Sequence, residues 1–169
     1  MINLSVTDKG AYSGKLLLGG TSLPLNGGFA VDGKSTLKVP RTGKPALTNS
    51  LVLDLVGNET LGGTVSDGSF TNSIQADKSI FGTTNLAPYV GKYTLIIPAV
   101  GQVTGDGIGT LSLGSAGAIT FAGSLADGTA ISQSVPVSRT GWWPLYVPLY
   151  AGKGMLISWS QFDTNGTRT

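Results

Sequence analysis

The stretch Leu47-Thr48-Asn49-Ser50-Leu51-Val52-Leu53-Asp54-Leu55-Val56-Gly57 places Leu47, Leu51, Leu53 and Leu55 on one side and Thr48, Ser50, Val52 and Asp54 on the other. Alternation with a period of two, closed by a glycine, is the signature of a half-buried β-strand. The same pattern runs outward in both directions. Tyr93, Leu95 and Ile97 form one such row, Ile119, Phe121, Gly123 and Leu125 a second, and Met155, Ile157 and Trp159 a third. Helical periodicity is nearly absent.

Turn signals punctuate the rows: Lys9-Gly10, Gly19-Gly20, Asp32-Gly33, Asp67-Gly68, Ala116-Gly117, Asp127-Gly128 and Gly152-Lys153. Glycine supplies the positive φ that tight hairpins require. Short alternating runs between such turns predict an antiparallel meander, since parallel strands would need helical crossovers. The predicted strands of the first half are 2–7, 12–18, 23–31, 35–40, 47–56 and 60–66. Those of the second are 92–98, 109–113, 118–125, 129–137, 145–150 and 154–162, with a further strand at 70–76 between the halves.

The second half repeats the first. Asp127-Gly128 follows Asp32-Gly33 by 95 positions, and Arg139-Thr140-Gly141 with Pro144 and Leu145 answers Arg41-Thr42-Gly43 with Pro45 and Leu47. The glycine turn at Gly57 returns at Gly152, and Asp67 is matched by Asp163. Repetition of this kind means one supersecondary unit used twice. The expected architecture is all-β: an antiparallel meander barrel of about 12 to 14 short strands. It would be built from two similar halves, 1–68 and 92–163, related by pseudo-two-fold symmetry. Segment 69–91 is the expected strand and linker joining them within one domain. Two compact six-stranded halves are the alternative.

Composition narrows the function classes. Charged residues make up 12% of the 169-residue chain, against about 25% in an average domain. The eleven basic residues are scattered, so the electrostatic footprint for nucleic acid is missing. With no cysteine and no histidine, disulfides, thiolate or imidazole metal sites and His-dependent triads are excluded. No cofactor or metal site is expected. No apolar run is long enough for a transmembrane helix. The opening Met1-Ile2-Asn3-Leu4-Ser5-Val6 lacks the pattern of a signal peptide and reads as a strand. The chain is therefore expected to be a module of a longer protein, and its open strands give a homodimer as an expectation.

The most distinctive local segment is Trp142-Trp143-Pro144-Leu145-Tyr146-Val147-Pro148-Leu149-Tyr150. Two adjacent tryptophans in extended backbone point to opposite sides, so at most one faces the core. The functional reading is a sugar-stacking end formed by Trp142, Trp143 and Tyr146, with Arg139 reaching sugar hydroxyls. The structural reading is that the tryptophans plug one end of the fold. Among the acids, Asp32, Asp67, Asp106 and Asp127 each precede a glycine, which assigns them to turn geometry. A glycosidase would need two carboxylates facing each other across a cleft, and no spacing here requires that. Gly105-Asp106-Gly107-Ile108-Gly109 lacks the Lys-Ser/Thr of a phosphate loop and no helix follows it.

The run Leu125-Ala126-Asp127-Gly128-Thr129, the segment Trp143 to Tyr150, Gly152-Lys153-Gly154, Gly14-Lys15-Leu16 and Thr64-Val65-Ser66-Asp67-Gly68 together resemble accessory all-β modules of large bacterial surface and secreted proteins. The resemblance implies an extracellular or cell-surface location within a larger secreted protein, and brings no site residue with it. The sequence-based expectation is a non-catalytic extracellular β-module, structural or adhesive. Its partners would be polysaccharide, bound through the aromatic end, or other surface domains. A polysaccharide hydrolase using Asp carboxylates is the alternative, and an outer-membrane barrel a more distant one.

Overall fold

The computed structural model describes residues 1–57, 59–99 and 104–162. Among them are thirteen strands and one 3-10 turn, and no α-helix. The protein is all-β, and every strand pairing is antiparallel. The chain divides into two compact units, Met1–Lys78 and Ser79–Thr169, the division falling inside segment 69–91.

The first unit holds β1 (Ile2–Val6), β2 (Ala11–Leu18) and β3 (Thr21–Gly28) in one sheet. Its second sheet is β4 (Lys34–Arg41), β5 (Lys44–Leu53), β6 (Thr60–Ser66) and β7 (Thr71–Asp77). Alternate residues of both sheets, among them Leu16, Leu25, Leu47, Leu51 and Val65, meet in a single hydrophobic core. Leu25 and Leu47 are fully buried. Burying such a side chain contributes about 1.5–3 kcal/mol. Asn49 sits in the same buried row of β5. Its Nδ2 donates to the Leu37 carbonyl at 3.4 Å, while Oδ1 has no hydrogen-bond partner.

In the second unit, β8 (Gly91–Ile97), β9 (Gly107–Leu113), β10 (Ala118–Ser124) and β11 (Ala130–Pro136) form a four-stranded sheet in the order β11-β10-β9-β8. The strands β12 (Trp142–Leu149) and β13 (Gly154–Gln161) form a separate two-stranded ribbon, joined by the 3-10 turn Tyr150–Gly152.

Five turns share one geometry. At Thr7–Ala11, Ala30–Lys34, Gly114–Ala118, Leu125–Thr129 and Ser138–Trp142, the first N–H donates to the fifth carbonyl and the fourth N–H to the first carbonyl. The fourth residue is always glycine, with φ between 77° and 84°. This is the three-residue hairpin loop with a glycine bulge, and an L-side chain would be strained at that φ. In the repeated Asp-Gly turns the aspartate also caps the loop: Asp32 Oδ1 accepts from the Lys34 N–H and Asp127 Oδ1 from the Thr129 N–H.

The expected closed barrel is not what forms. Among the described residues the strands make four open sheets. Sheet pairing stops between β3 and β4 in the first unit and between β11 and β12 in the second, and side chains bridge both seams. In the first, the buried Tyr12 ring packs beneath Gly27, where a Cβ would lie 2.5 Å from the Tyr12 hydroxyl. The hydroxyl continues to Ser35 Oγ on β4, at 3.0 Å. The ring thus crosses the buried side of β3 and links the first sheet to β4.

In the second unit, prolines open the seam. Phe162 N–H donates to the Gly141 carbonyl, so the odd residues of β12 exchange bonds with β13 and the even ones turn toward β11. Pro144 and Pro148 stand at two of those even positions and have no N–H to give. The Gln133 side chain fills part of the gap. Its Nε2 donates to the Pro144 carbonyl at 3.0 Å, and its Oε1 accepts from the Tyr146 N–H at 2.8 Å. One side-chain amide stands in for a peptide unit. The matched Asp-Gly turns consequently have different surroundings: β10 and β11 pair across theirs, whereas β3 and β4 do not.

The two Arg-Thr-Gly segments also differ. Arg41 pairs with Lys44 across a two-residue turn, and its guanidinium bonds the Pro45 carbonyl at 2.8 Å and Asp67 at 2.6 Å. Arg139 lies within a three-residue loop and is exposed. Asp163, the counterpart expected for Asp67, lies outside the described residues.

Candidate functional site

Alternation along β12 and β13 sorts the aromatic segment into two faces. Trp143, Leu145, Val147 and Leu149 share the buried face, and Trp143 is 3% exposed. The Trp143 ring lies 6.5 Å from Phe162, which in turn stacks on Tyr89 at 5.5 Å and meets Tyr93 at 5.1 Å. In this aromatic cluster Trp143 is buried, while Phe162, Tyr89 and Tyr93 are half-buried around it.

The other face carries Trp142, Pro144, Tyr146 and Pro148 from β12. Opposite them stand Gln161, Trp159, Ile157 and Met155 from β13. No residue on this face is charged. Trp159 is 49% exposed, Ile157 61% and Met155 49%. Trp142 is half-buried and stands edge-on to Trp159, with ring centroids 6.5 Å apart and planes at 79°. An edge-to-face pair holds both rings in place while leaving the Trp159 surface open. Gln161 donates to the Thr140 carbonyl at 3.2 Å, placing an amide beside the pair.

Of the four residues expected at a sugar-stacking end, the structure places Trp142 on this open face, at its rim. Tyr146 lies on the same face but is buried, and Trp143 is in the interior. Arg139 is exposed on the loop that precedes β12. Trp159 joins the site although the sequence does not single it out. The alternating row Met155, Ile157, Trp159 is visible in the sequence, but no residue in it says which side of β13 is covered.

Five of the described aspartates accept hydrogen bonds from backbone amides. Asp54 Oδ1 accepts from the Val56 N–H, and Asp106 Oδ1 from the Ala99 N–H. Asp67 accepts from the Ser69 N–H and hydroxyl and from the Phe70 N–H, besides its ion pair with Arg41. Those donors, Ser69 first and Arg41 next, hold the Asp67 carboxyl well below the usual carboxylate range. Lys34 lowers Asp32, and the Tyr150 hydroxyl followed by Thr129 lowers Asp127. A general acid working near neutral pH needs the opposite shift. Among the described residues no three acidic, histidine or cysteine side chains gather where they could hold a metal ion. No described helix is long and apolar enough to cross a membrane.

No family model matches the chain, and no curated protein or solved structure is significantly similar to it.

Proposed function

We propose that this chain is a non-catalytic, adhesive β-module of the cell surface or extracellular space that binds glycan on the open face of the β12–β13 ribbon. The observation that carries the reading is the uncharged face on which Trp159, half exposed, is braced edge-on by Trp142. Sugar rings present apolar C–H faces that stack on a fixed aromatic plane, while neighbouring amides take their hydroxyls. The lack of charge favours a neutral glycan over an acidic one. Employment of five aspartates as acceptors for backbone amides supports binding over hydrolysis. The scarcity of charge, with solubility carried by hydroxyls and amides, supports the extracellular setting, within a larger secreted protein. The recurrence of Asp-Gly and Arg-Thr-Gly in the same order in both halves supports origin by internal duplication.

A glycan-array screen of the wild type beside Trp159→Ala and Trp142→Ala tests the proposal, with circular dichroism on all three. Binding that vanishes in a folded Trp159→Ala is the expected result. A wild type that binds no glycan would leave the chain a structural spacer and refute the adhesive reading.

A further inference from the structure

We propose that β13 pairs with β13 of a second copy, making a two-fold dimer with a continuous four-stranded β12-β13-β13-β12 sheet. The inference does not depend on glycan binding. It rests on how the sheet edges are protected. An open edge strand invites pairing with another chain, and proteins block it with proline, charge or shortness. Here β3 carries Pro24, β4 carries Lys34, Lys38 and Pro40, and β7 carries Asp77. Likewise β8 carries Lys92, β11 Pro136, and β12 Pro144 and Pro148, while β1 is five residues long. By contrast, β13 is eight residues, Gly-Met-Leu-Ile-Ser-Trp-Ser-Gln, with neither proline nor charge. Among the described residues its second side pairs with no strand.

The backbone is poised for this. Because Phe162 bonds Gly141, the even residues of β13 serve β12, and Met155, Ile157 and Trp159 direct their N–H and C=O groups outward. A dyad at Ile157 sets each Ile157 against its mate and each Met155 against Trp159 of the other copy. All of them lie on the exposed face, and a thioether beside an indole is a favourable contact. The exposed side chains select a second copy as the occupant: the register sets Met155, Ile157 and Trp159, each about half exposed and apolar, against the same three residues, and it leaves Lys153 facing Gln161 and not another lysine. Such an isologous contact closes at two chains.

The oligomeric mass of the 169-residue chain is the test, by light scattering over a wide concentration range. The wild type is expected at twice 17.2 kDa. Ile157→Lys, which sets two ammonium groups at the dyad, and Ile157→Pro, which removes an N–H that β12 does not use, are both expected at the single-chain mass with unchanged circular dichroism. The chain contains no cysteine, so Ile157→Cys should cross-link to a covalent dimer on oxidation, while the exposed Ile96→Cys should not. A monomeric wild type, open-ended oligomers, a dimer that survives in both folded Ile157→Lys and Ile157→Pro, or an Ile157→Cys dimer that fails to cross-link would each overturn the proposal.

Discussion

The Tyr150 hydroxyl donates to Asp127 Oδ2 at 2.5 Å, while the other oxygen of the same carboxylate accepts from the Thr129 N–H at 2.9 Å. One carboxylate thus ties the β12–β13 turn to the β10–β11 turn. The tie matters because Tyr150 and Ala151 are both left-handed, with φ of 51° and 54°. Neither is glycine, and each such residue costs about 1–2 kcal/mol. The bond to Asp127 helps to hold a conformation the local chain disfavours.

Tyr150→Phe should therefore return the Asp127 carboxyl toward its ordinary value, read by NMR titration of the side-chain carbon. The turn amides of Ala151 and Gly152 should exchange faster in the same variant. In the wild type, the Asp127 pKa is lowered and that of Tyr150 raised by this contact. The link accordingly holds from the ordinary carboxylate range up through that of tyrosine, and fails in acid as Asp127 is protonated or in strong base as Tyr150 ionises. An Asp127 titration that ignores the loss of the hydroxyl would refute this account.

Acid should destabilise the first unit through Asp67. Its folded pKa is depressed, so its contribution is complete above the unfolded value of about 3.8 and declines as pH falls from there toward the folded value. Thermal midpoints measured on a descending pH series should fall more steeply for the wild type than for Asp67→Asn. Parallel curves would show that the nearly buried Arg41–Asp67 pair is not the origin of the acid sensitivity.

Gln133→Ala removes both bonds that span the seam between β11 and β12 and strands the Tyr146 N–H in a buried place. The expected cost is about 1–3 kcal/mol. Urea unfolding should show a lower midpoint at an unchanged slope. Gln133→Glu keeps the acceptor for Tyr146 but loses the donor to Pro144, and should fall between the two.

Asn49→Val replaces a buried amide whose oxygen has no partner by a β-branched side chain suited to a strand. Its one hydrogen bond, at 3.4 Å, is long. Stability is expected to rise by about 1 kcal/mol, checked by urea midpoint. A loss of stability would mean that the amide makes a larger contribution than its geometry indicates.

The all-β character was legible because Leu47, Leu51 and Leu53 recur at even spacing with Thr48, Ser50 and Asp54 on the opposite face, and because Asp-Gly pairs need positive φ at glycine. Closure was harder to read. It depends on whether neighbouring strands stay bonded past a turn, and identical turns lead to different results here. At the β3–β4 seam Tyr12 reaches Ser35, a contact 23 residues away that no local pattern encodes. The prolines at 144 and 148 were a usable signal, since a strand carrying both cannot sit at the centre of a sheet. At the candidate site, alternation separates Trp142 from Trp143 but does not say which one is covered. That is decided by Phe162, Tyr89 and Tyr93 gathering on the Trp143 side.

Among the described residues, each of the nine strand ladders joins strands that are consecutive along the chain. For a β-protein this is an unusual kinetic position. Most sheet folds must close long loops before any pairing is rewarded, and they fold slowly for that reason. Here each hairpin can zip from its own glycine turn without waiting for a distant partner. The slow event is then the docking of finished ribbons upon one another, and the rate should respond to the seams at Tyr12 and Gln133 more than to any individual turn.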